Sequence, residues 1–94
     1  MSSTDLHHLP QRNPDVELRE IGAESVLVTP SGSTYAVNPT ARAIWELCDG
    51  TTTVDELAVA ISEVFAIDRA TAIDDVTATI EQLRAVDLVF SESP

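Results

Sequence analysis

Lysine is absent from the chain, cysteine occurs once, histidine twice and glycine three times. A single thiol, Cys48, excludes an internal disulfide and a cysteine-rich metal site. No run approaches the roughly 18 apolar residues of a membrane span, so no membrane partner is expected and the reading is a cytoplasmic protein. Five arginines face sixteen carboxylates, for a net charge of −11. Phosphate contact therefore starts at an electrostatic disadvantage, which argues against nonspecific nucleic-acid binding. The opening residues Met1 to His8 have neither a basic start nor an apolar stretch, and so do not read as a secretory or transit signal. What remains is 44% hydrophobic and 22% charged over 94 residues. That is enough apolar content for one folded domain and too short a chain for two.

Residues 1–14 contain Pro10 and Pro14 and show no hydrophobic period, and they predict a flexible amino-terminal tail. From Val16 the apolar positions alternate through Leu18, with Ile21 closing the run, as in a half-buried strand. Gly22-Ala23 suits a two-residue hairpin in which glycine takes the positive φ. Val26-Leu27-Val28 is a second strand, Pro30-Ser31-Gly32 a three-residue hairpin loop with a bulge, and Thr34 to Val37 a third strand. On that third strand Tyr35 and Val37 share one face, and Thr34 and Ala36 the other.

At Asn38-Pro39 the period lengthens. Asparagine is a good N-cap and proline suits the first helical position, and Ala41, Ile44, Trp45, Leu47 and Cys48 follow at helical spacing, with Trp45 expected in the core. Asp49-Gly50 stops this helix. Thr53-x-x-Glu56 is a capping box ahead of Val54, Leu57, Ala58, Ile61, Val64 and Phe65. Asp68 caps a third helix whose stripe is Ile73, Val76, Ile80 and Leu83, ending near Val86. Leu88-Val89-Phe90 either adds a strand or tucks under the core, and residues 91–94 are expected to fray. The order is three antiparallel strands followed by three helices, an α+β fold occupying residues 15–90.

Sites of chemistry are scarce. The histidines, His7 and His8, fall in the predicted tail, away from any partner that would orient a base. Cys48 lies on the apolar side of the first helix and reads as a buried structural thiol. Asp74, Asp75 and Glu81 diverge around the third helix and make a solvated face rather than a metal site. Gly22, Gly32 and Gly50 are isolated, each with a turn or cap to make, so there is no phosphate-cradling loop. Neither a catalytic site nor a cofactor is expected. A winged helix that binds DNA is an alternative of similar outline, but its third helix would offer Arg69 and Arg84 against Asp74, Asp75, Glu81 and Asp87. An acyl carrier would need an exposed serine in an Asp-Ser-Leu context, whereas Ser62 follows Ile61 inside the second helix. A structural subunit of a larger enzyme is a further alternative.

Several ordered segments carry a resemblance: Tyr35-Ala36-Val37-Asn38, Ala41 to Leu47, Cys48-Asp49-Gly50-Thr51, Thr53-Val54-Asp55-Glu56-Leu57, Asp75-Val76, and Leu83 through Leu88-Val89. Over about residues 15 to 90 the chain resembles the PqqD family, small peptide chaperones whose fold is also called the RiPP recognition element. The resemblance implies a winged helix-turn-helix-like domain that binds the leader of a ribosomally made precursor peptide. It further implies presentation of that peptide to a maturation enzyme, such as a leader peptidase or a radical enzyme, in lasso-peptide or quinone-cofactor assembly. Members take the leader as an added strand along the third strand, in a cleft walled by the third helix. Carried onto this chain, the peptide-binding residues are Ser33, Thr34, Tyr35, Ala36 and Val37 on the strand, and Asp75, Val76, Thr79 and Leu83 on the helix. Two positions depart from the family pattern: Asp87 stands where glycine is usual after the last helix, and Thr79 where a bulky apolar residue is common.

The residues themselves support an added strand in one respect. The third strand carries no charge from Ser33 to Val37 and no proline, so it lacks the usual defences of a sheet edge. The opposing possibility is that the third helix or the Leu88-Val89-Phe90 segment covers it. The helix has two flanks, with Ala72, Asp75 and Thr79 on one and Thr77, Glu81 and Arg84 on the other. The sequence leaves open which one borders the strand, and the Asp75–Thr79 side is the one expected.

Overall fold

The computed structural model describes residues 9–92. In chain order the elements are β1 (Leu9–Arg12), β2 (Glu17–Ile21), β3 (Glu24–Val28), β4 (Thr34–Val37), α1 (Pro39–Leu47), α2 (Val54–Val64), α3 (Arg69–Ala85) and β5 (Val89–Glu92). β2, β3 and β4 form an antiparallel meander in that spatial order, and β1 pairs with β5 in a separate two-stranded sheet.

Local chemistry explains the turns of the meander. Ile21 pairs with Glu24 across Gly22-Ala23, and Gly22 takes a φ of +63°. In the next hairpin the Gly32 amide donates to the Thr29 carbonyl at 2.9 Å and the Thr29 amide to the Ser33 carbonyl at 2.9 Å. With Gly32 at φ +91° this is the three-residue loop with a bulge. Cross-strand register stacks Leu18, Leu27 and Tyr35 on the face toward the helices. Ile21 falls on the opposite face by strand parity and is 62% exposed, so it does not close the apolar run as the alternation predicted.

Each helix starts at its predicted cap. Asn38 Oδ1 accepts from the Ala41 amide at 2.7 Å, and Thr53 and Glu56 exchange the two bonds of a capping box. Asp68 Oδ1 accepts from the Thr71 amide at 2.8 Å, and these bonds, the one from the Thr71 hydroxyl first, lower its carboxyl pKa. The core gathers Leu27, Ile44, Trp45, Cys48, Leu57, Ala58, Ile61, Ala72, Val76, Ile80 and Leu83. On α3 the buried stripe runs through Ala72 rather than Ile73, which is only half-buried. Ala72 is therefore core and not part of a flank. Val64, predicted inside, lies in the last turn of α2 and is 71% exposed.

The amino-terminal boundary is the main correction. Residues 1–8 lie outside the described part, but Leu9–Arg12 is a strand rather than a loose tail, paired with β5 in the register Leu9↔Glu92 to Arg12↔Val89. The same pairing orders residues 91 and 92, which were expected to fray. Pro10 is fully buried. Its carbonyl accepts from the Gly50 amide at 3.0 Å, and the Arg12 amide donates to the Cys48 carbonyl at 2.8 Å, so β1 lies between β5 and the α1–α2 turn. The Arg12 guanidinium donates to the Glu46 carbonyl and stands 5.7 Å from the centre of the Trp45 ring. The apolar Leu88-Val89-Phe90 segment does both things considered for it. Leu88 and Val89 enter the core, and Val89 begins β5.

Candidate functional site

β4 is an outer strand of the meander. Register decides what its free edge offers. Thr29 and Ser33 are hydrogen-bonded at the loop, and antiparallel pairs alternate between bonded and non-bonded. Leu27–Tyr35 and Ser25–Val37 are therefore the bonded pairs, while Val28–Thr34 and Val26–Ala36 are the non-bonded ones. The N–H and C=O groups of Thr34 and Ala36 consequently point away from β3, toward the open edge.

Beside this edge lies a cleft of about 300 Å³ between β4 and the second half of α3. Tyr35, Ala36 and Val37 form one wall and Thr79, Gln82, Leu83 and Val86 the other, with Asn38, Ala41 and Leu88 completing it. Tyr35 and Val37 are half-buried against the core, which aims them toward the helices, while Ala36 is exposed. The lining is mostly apolar and holds no ionisable side chain other than Tyr35. Asn38 is occupied as the α1 cap, leaving Thr79 and Gln82 as the polar groups of the helical wall.

The end of α3 shapes the cleft. Its last turn closes with the Leu88 amide donating to the Leu83 carbonyl at 2.9 Å and the Asp87 amide to the Arg84 carbonyl at 3.1 Å. This is the paired 6→1 and 5→2 pattern that reverses a chain after a helix and requires a left-handed residue between. Asp87 takes that conformation, with φ +62°. The residue that departs from glycine in the sequence thus sits in the left-handed conformation that glycine adopts without strain.

Among the described residues, three of the arginines pair with carboxylates: Arg19 with Glu17, Arg42 with Glu20 and Glu46, and Arg69 with Asp55. A second depression, of about 370 Å³, is lined by Glu20, Arg42 and Glu46. The ion pairs that occupy it make it polar and tie α1 to the β2–β3 hairpin. Asp74, Asp75 and Glu81 do not converge, and no group of three His, Cys, Asp or Glu residues among those described could hold a metal ion. Cys48 is fully buried. Burial pushes its thiol up to about 12 even though Arg12 opposes the shift. It is a core residue rather than a nucleophile.

The nine residues anticipated for peptide binding divide clearly. Tyr35, Ala36, Val37, Thr79 and Leu83 meet around the cleft. Ser33 and Thr34 lie at the hairpin end of the edge, outside the cleft lining, and Thr34 contributes only outward backbone groups. Asp75 is exposed and away from the lining, and Val76 is wholly buried in the core, so neither faces the cleft. On the expected flank the wall is Thr79, Gln82 and Val86, because the strand packs toward the carboxyl-terminal half of α3. Gln82 and Val86 follow Thr79 at 3-4 spacing. Continuing that spacing from Thr79 in the carboxyl-terminal direction would have found them.

In outline this is an α+β domain, a three-stranded meander leading into three helices. The chain belongs to the PqqD family: the family model described as coenzyme PQQ synthesis protein D matches residues 24–89. No curated protein sequence matches the chain. Among solved structures, TbiB1 in complex with the TbiA(beta) leader peptide superposes with a TM-score of 0.73 at 21% identity, covering 89% of this chain and 99% of that one. A lasso peptide synthetase B1 complexed with its leader peptide gives a TM-score of 0.73 at 18% identity, with 87% and 98% covered. The PqqD part of Methylobacterium extorquens PqqCD, described as a functional stand-alone RiPP recognition element, gives 0.72 at 24% identity, with 86% and 87% covered.

Proposed function

We propose that this protein is a non-catalytic recognition element that binds the leader segment of a ribosomally synthesised precursor peptide and holds it for a maturation enzyme in the cytoplasm. The observation that carries the reading is the uncharged β4 edge, with the outward backbone groups of Thr34 and Ala36 beside an apolar cleft. Membership of the PqqD family supports it, as do two structural neighbours that are themselves leader-peptide complexes.

The leader pairs with β4 as a fourth strand. Two N–H and two C=O groups give up to four ladder bonds at a net ~0.5–1.5 kcal/mol each, whereas micromolar affinity requires ~8 kcal/mol after association costs. Backbone pairing is therefore insufficient. Alternate leader side chains, those on the Tyr35 and Val37 face, enter the cleft and contribute ~1.5–3 kcal/mol apiece. They also supply the sequence selectivity that strand addition alone lacks. The net charge of −11 favours a leader or partner enzyme with basic residues and speeds their encounter. The maturation enzyme is of the leader-peptidase or radical type.

Nuclear magnetic resonance titration of the labelled domain with a synthetic leader tests the reading. The peptides used are synthetic leader segments of lasso-peptide and quinone-cofactor precursors. Amide shifts should concentrate at Thr34–Val37 and at Thr79, Gln82 and Val86. Shifts confined to the Arg42 depression, or none at all, would overturn it.

A further inference from the structure

Asn13 lies in the segment that the sequence marks as tail, yet all four of its hydrogen-bonding groups are engaged. Its carbonyl accepts from the Val16 amide at 3.1 Å, and its Oδ1 accepts from the Asp15 amide at 2.9 Å. These two bonds lock the Asn13-Pro14-Asp15-Val16 turn. The remaining two donors reach 74 and 75 residues along the chain. Asn13 Nδ2 donates to the Asp87 carbonyl at 2.8 Å, and the Asn13 amide donates to the Leu88 carbonyl at 3.1 Å. The Leu88 carbonyl also accepts from Trp45 Nε1 at 3.0 Å.

The turn held in this way is the one that closes the cleft. Val86 and Leu88 both line it, and Asp87 between them sits at φ +62°. A left-handed backbone costs a residue with a Cβ roughly 1–2 kcal/mol, and such a conformation persists where its surroundings over-determine it. Within α3 the turn has only the bonds to Leu83 and Arg84. The additional constraint arrives from Asn13 and Trp45, neither of which lines the cleft.

We propose that Asn13 is a positioning residue for the cleft: by clamping the Asp87 and Leu88 carbonyls it sets where Val86 and Leu88 stand against β4, and so the affinity for the leader. The inference rests on the cleft being the leader site. It makes the β1 arm part of the binding apparatus, although that arm touches no leader.

Asn13→Asp tests it, because the carboxylate keeps the Oδ1 bond to Asp15 but cannot donate to Asp87; Asn13→Ala is the uncharged companion. Calorimetry with the synthetic leader should show both variants, fully folded at 25 °C, weakened about fivefold, and hydrogen exchange should accelerate at Asp87 and Leu88 but not along α2. Thr53→Ala is the control for stability alone. It removes the α2 cap at a comparable cost to the fold and should leave affinity within about twofold. Adding Asp87→Gly to Asn13→Asp removes the need for a clamp and should restore affinity to within about twofold of the unmutated protein. Unchanged affinity in both Asn13 variants, or an equal loss in Thr53→Ala, overturns the proposal while leaving the leader site intact. Absence of leader binding by the unmutated protein overturns the site, and this inference with it.

Discussion

Replacing Ala36 by proline removes an N–H that the free domain does not use. The pairing register turns that group outward, and Tyr35, the residue before it, is already in an extended strand, the conformation a following proline demands. The cost to folding should stay below about 1 kcal/mol. Binding is affected differently. One ladder bond is lost at ~0.5–1.5 kcal/mol, and a leader carbonyl is left without its donor at ~1–3 kcal/mol. The sum, ~1.5–4.5 kcal/mol, is a loss of roughly tenfold to a thousandfold or more in affinity. Val37→Pro places the backbone cost on the fold instead. Its N–H faces Ser25, so the same ~1.5–4.5 kcal/mol falls on the stability of the sheet. Calorimetry with the synthetic leader, paired with urea titration of each variant, reads both quantities. If Ala36→Pro binds as tightly as the unmutated protein, the leader does not pair on this edge. If it destabilises the domain as much as Val37→Pro, the alternation of inward and outward groups is out of phase with the one derived from the hairpin.

A charge placed on the helical wall should also weaken binding: Thr79→Glu is expected to cost at least about tenfold in leader affinity by calorimetry, with Ala70→Glu at the exposed start of α3 leaving it unchanged. Ala66 ends α2 at φ +54°, where the Ile67 amide donates to the Ser62 carbonyl. Ala66→Gly should therefore stabilise the fold by about 0.5–1 kcal/mol and raise Tm by about 2–8 °C in a calorimetric scan; a lower Tm would contradict the strain argument. The Thr77 hydroxyl is buried without a hydrogen-bond partner among the described residues, so Thr77→Val should stabilise by about 1 kcal/mol in urea, and a loss of stability would count against that reading. Cys48, pushed up to about 12 from 9.0, stays a thiol in the folded state while the unfolded chain ionises. Its contribution is whole below about pH 9 and is lost as pH rises toward about 12. Iodoacetamide should accordingly label the native protein at pH 8 far more slowly than the urea-unfolded chain, and equal rates would refute burial of the thiol.

Most of the helical half was legible in the sequence because its signals are local. Asn38-Pro39, the Thr53/Glu56 box and Asp68 each satisfy backbone groups within three residues. The two hairpins of the meander were legible for the same reason, since a glycine at positive φ defines each loop. The β1–β5 sheet was not, because its bonds join Leu9–Arg12 to Val89–Glu92 across most of the chain. Neither Leu9-Pro10-Gln11-Arg12 nor Val89-Phe90-Ser91-Glu92 alternates in a way that announces a strand. Pro10 argued against one, although a proline at a strand edge needs no donor. The local clue was Asn13-Pro14-Asp15, a turn signal that implies ordered chain on both sides of it. For the cleft, strand and helix were placed correctly as elements, but which half of α3 meets β4 depends on how the two pack. That is why Gln82 and Val86 belong to the wall and Asp75 does not.

Pairing of Leu9 with Glu92 brings the two ends of the described segment to neighbouring positions, about 5 Å apart across an antiparallel pair. A polypeptide that enters and leaves a domain through one doorway can be spliced into a host chain as a cassette. The host has to open a gap of only a few ångströms at the insertion point, and β4 with its exposed edge belongs to the other sheet. Such a module can change hosts over evolutionary time without being redesigned. It can also be grafted by hand into a surface loop of an unrelated enzyme, carrying the β4 edge and its cleft with it.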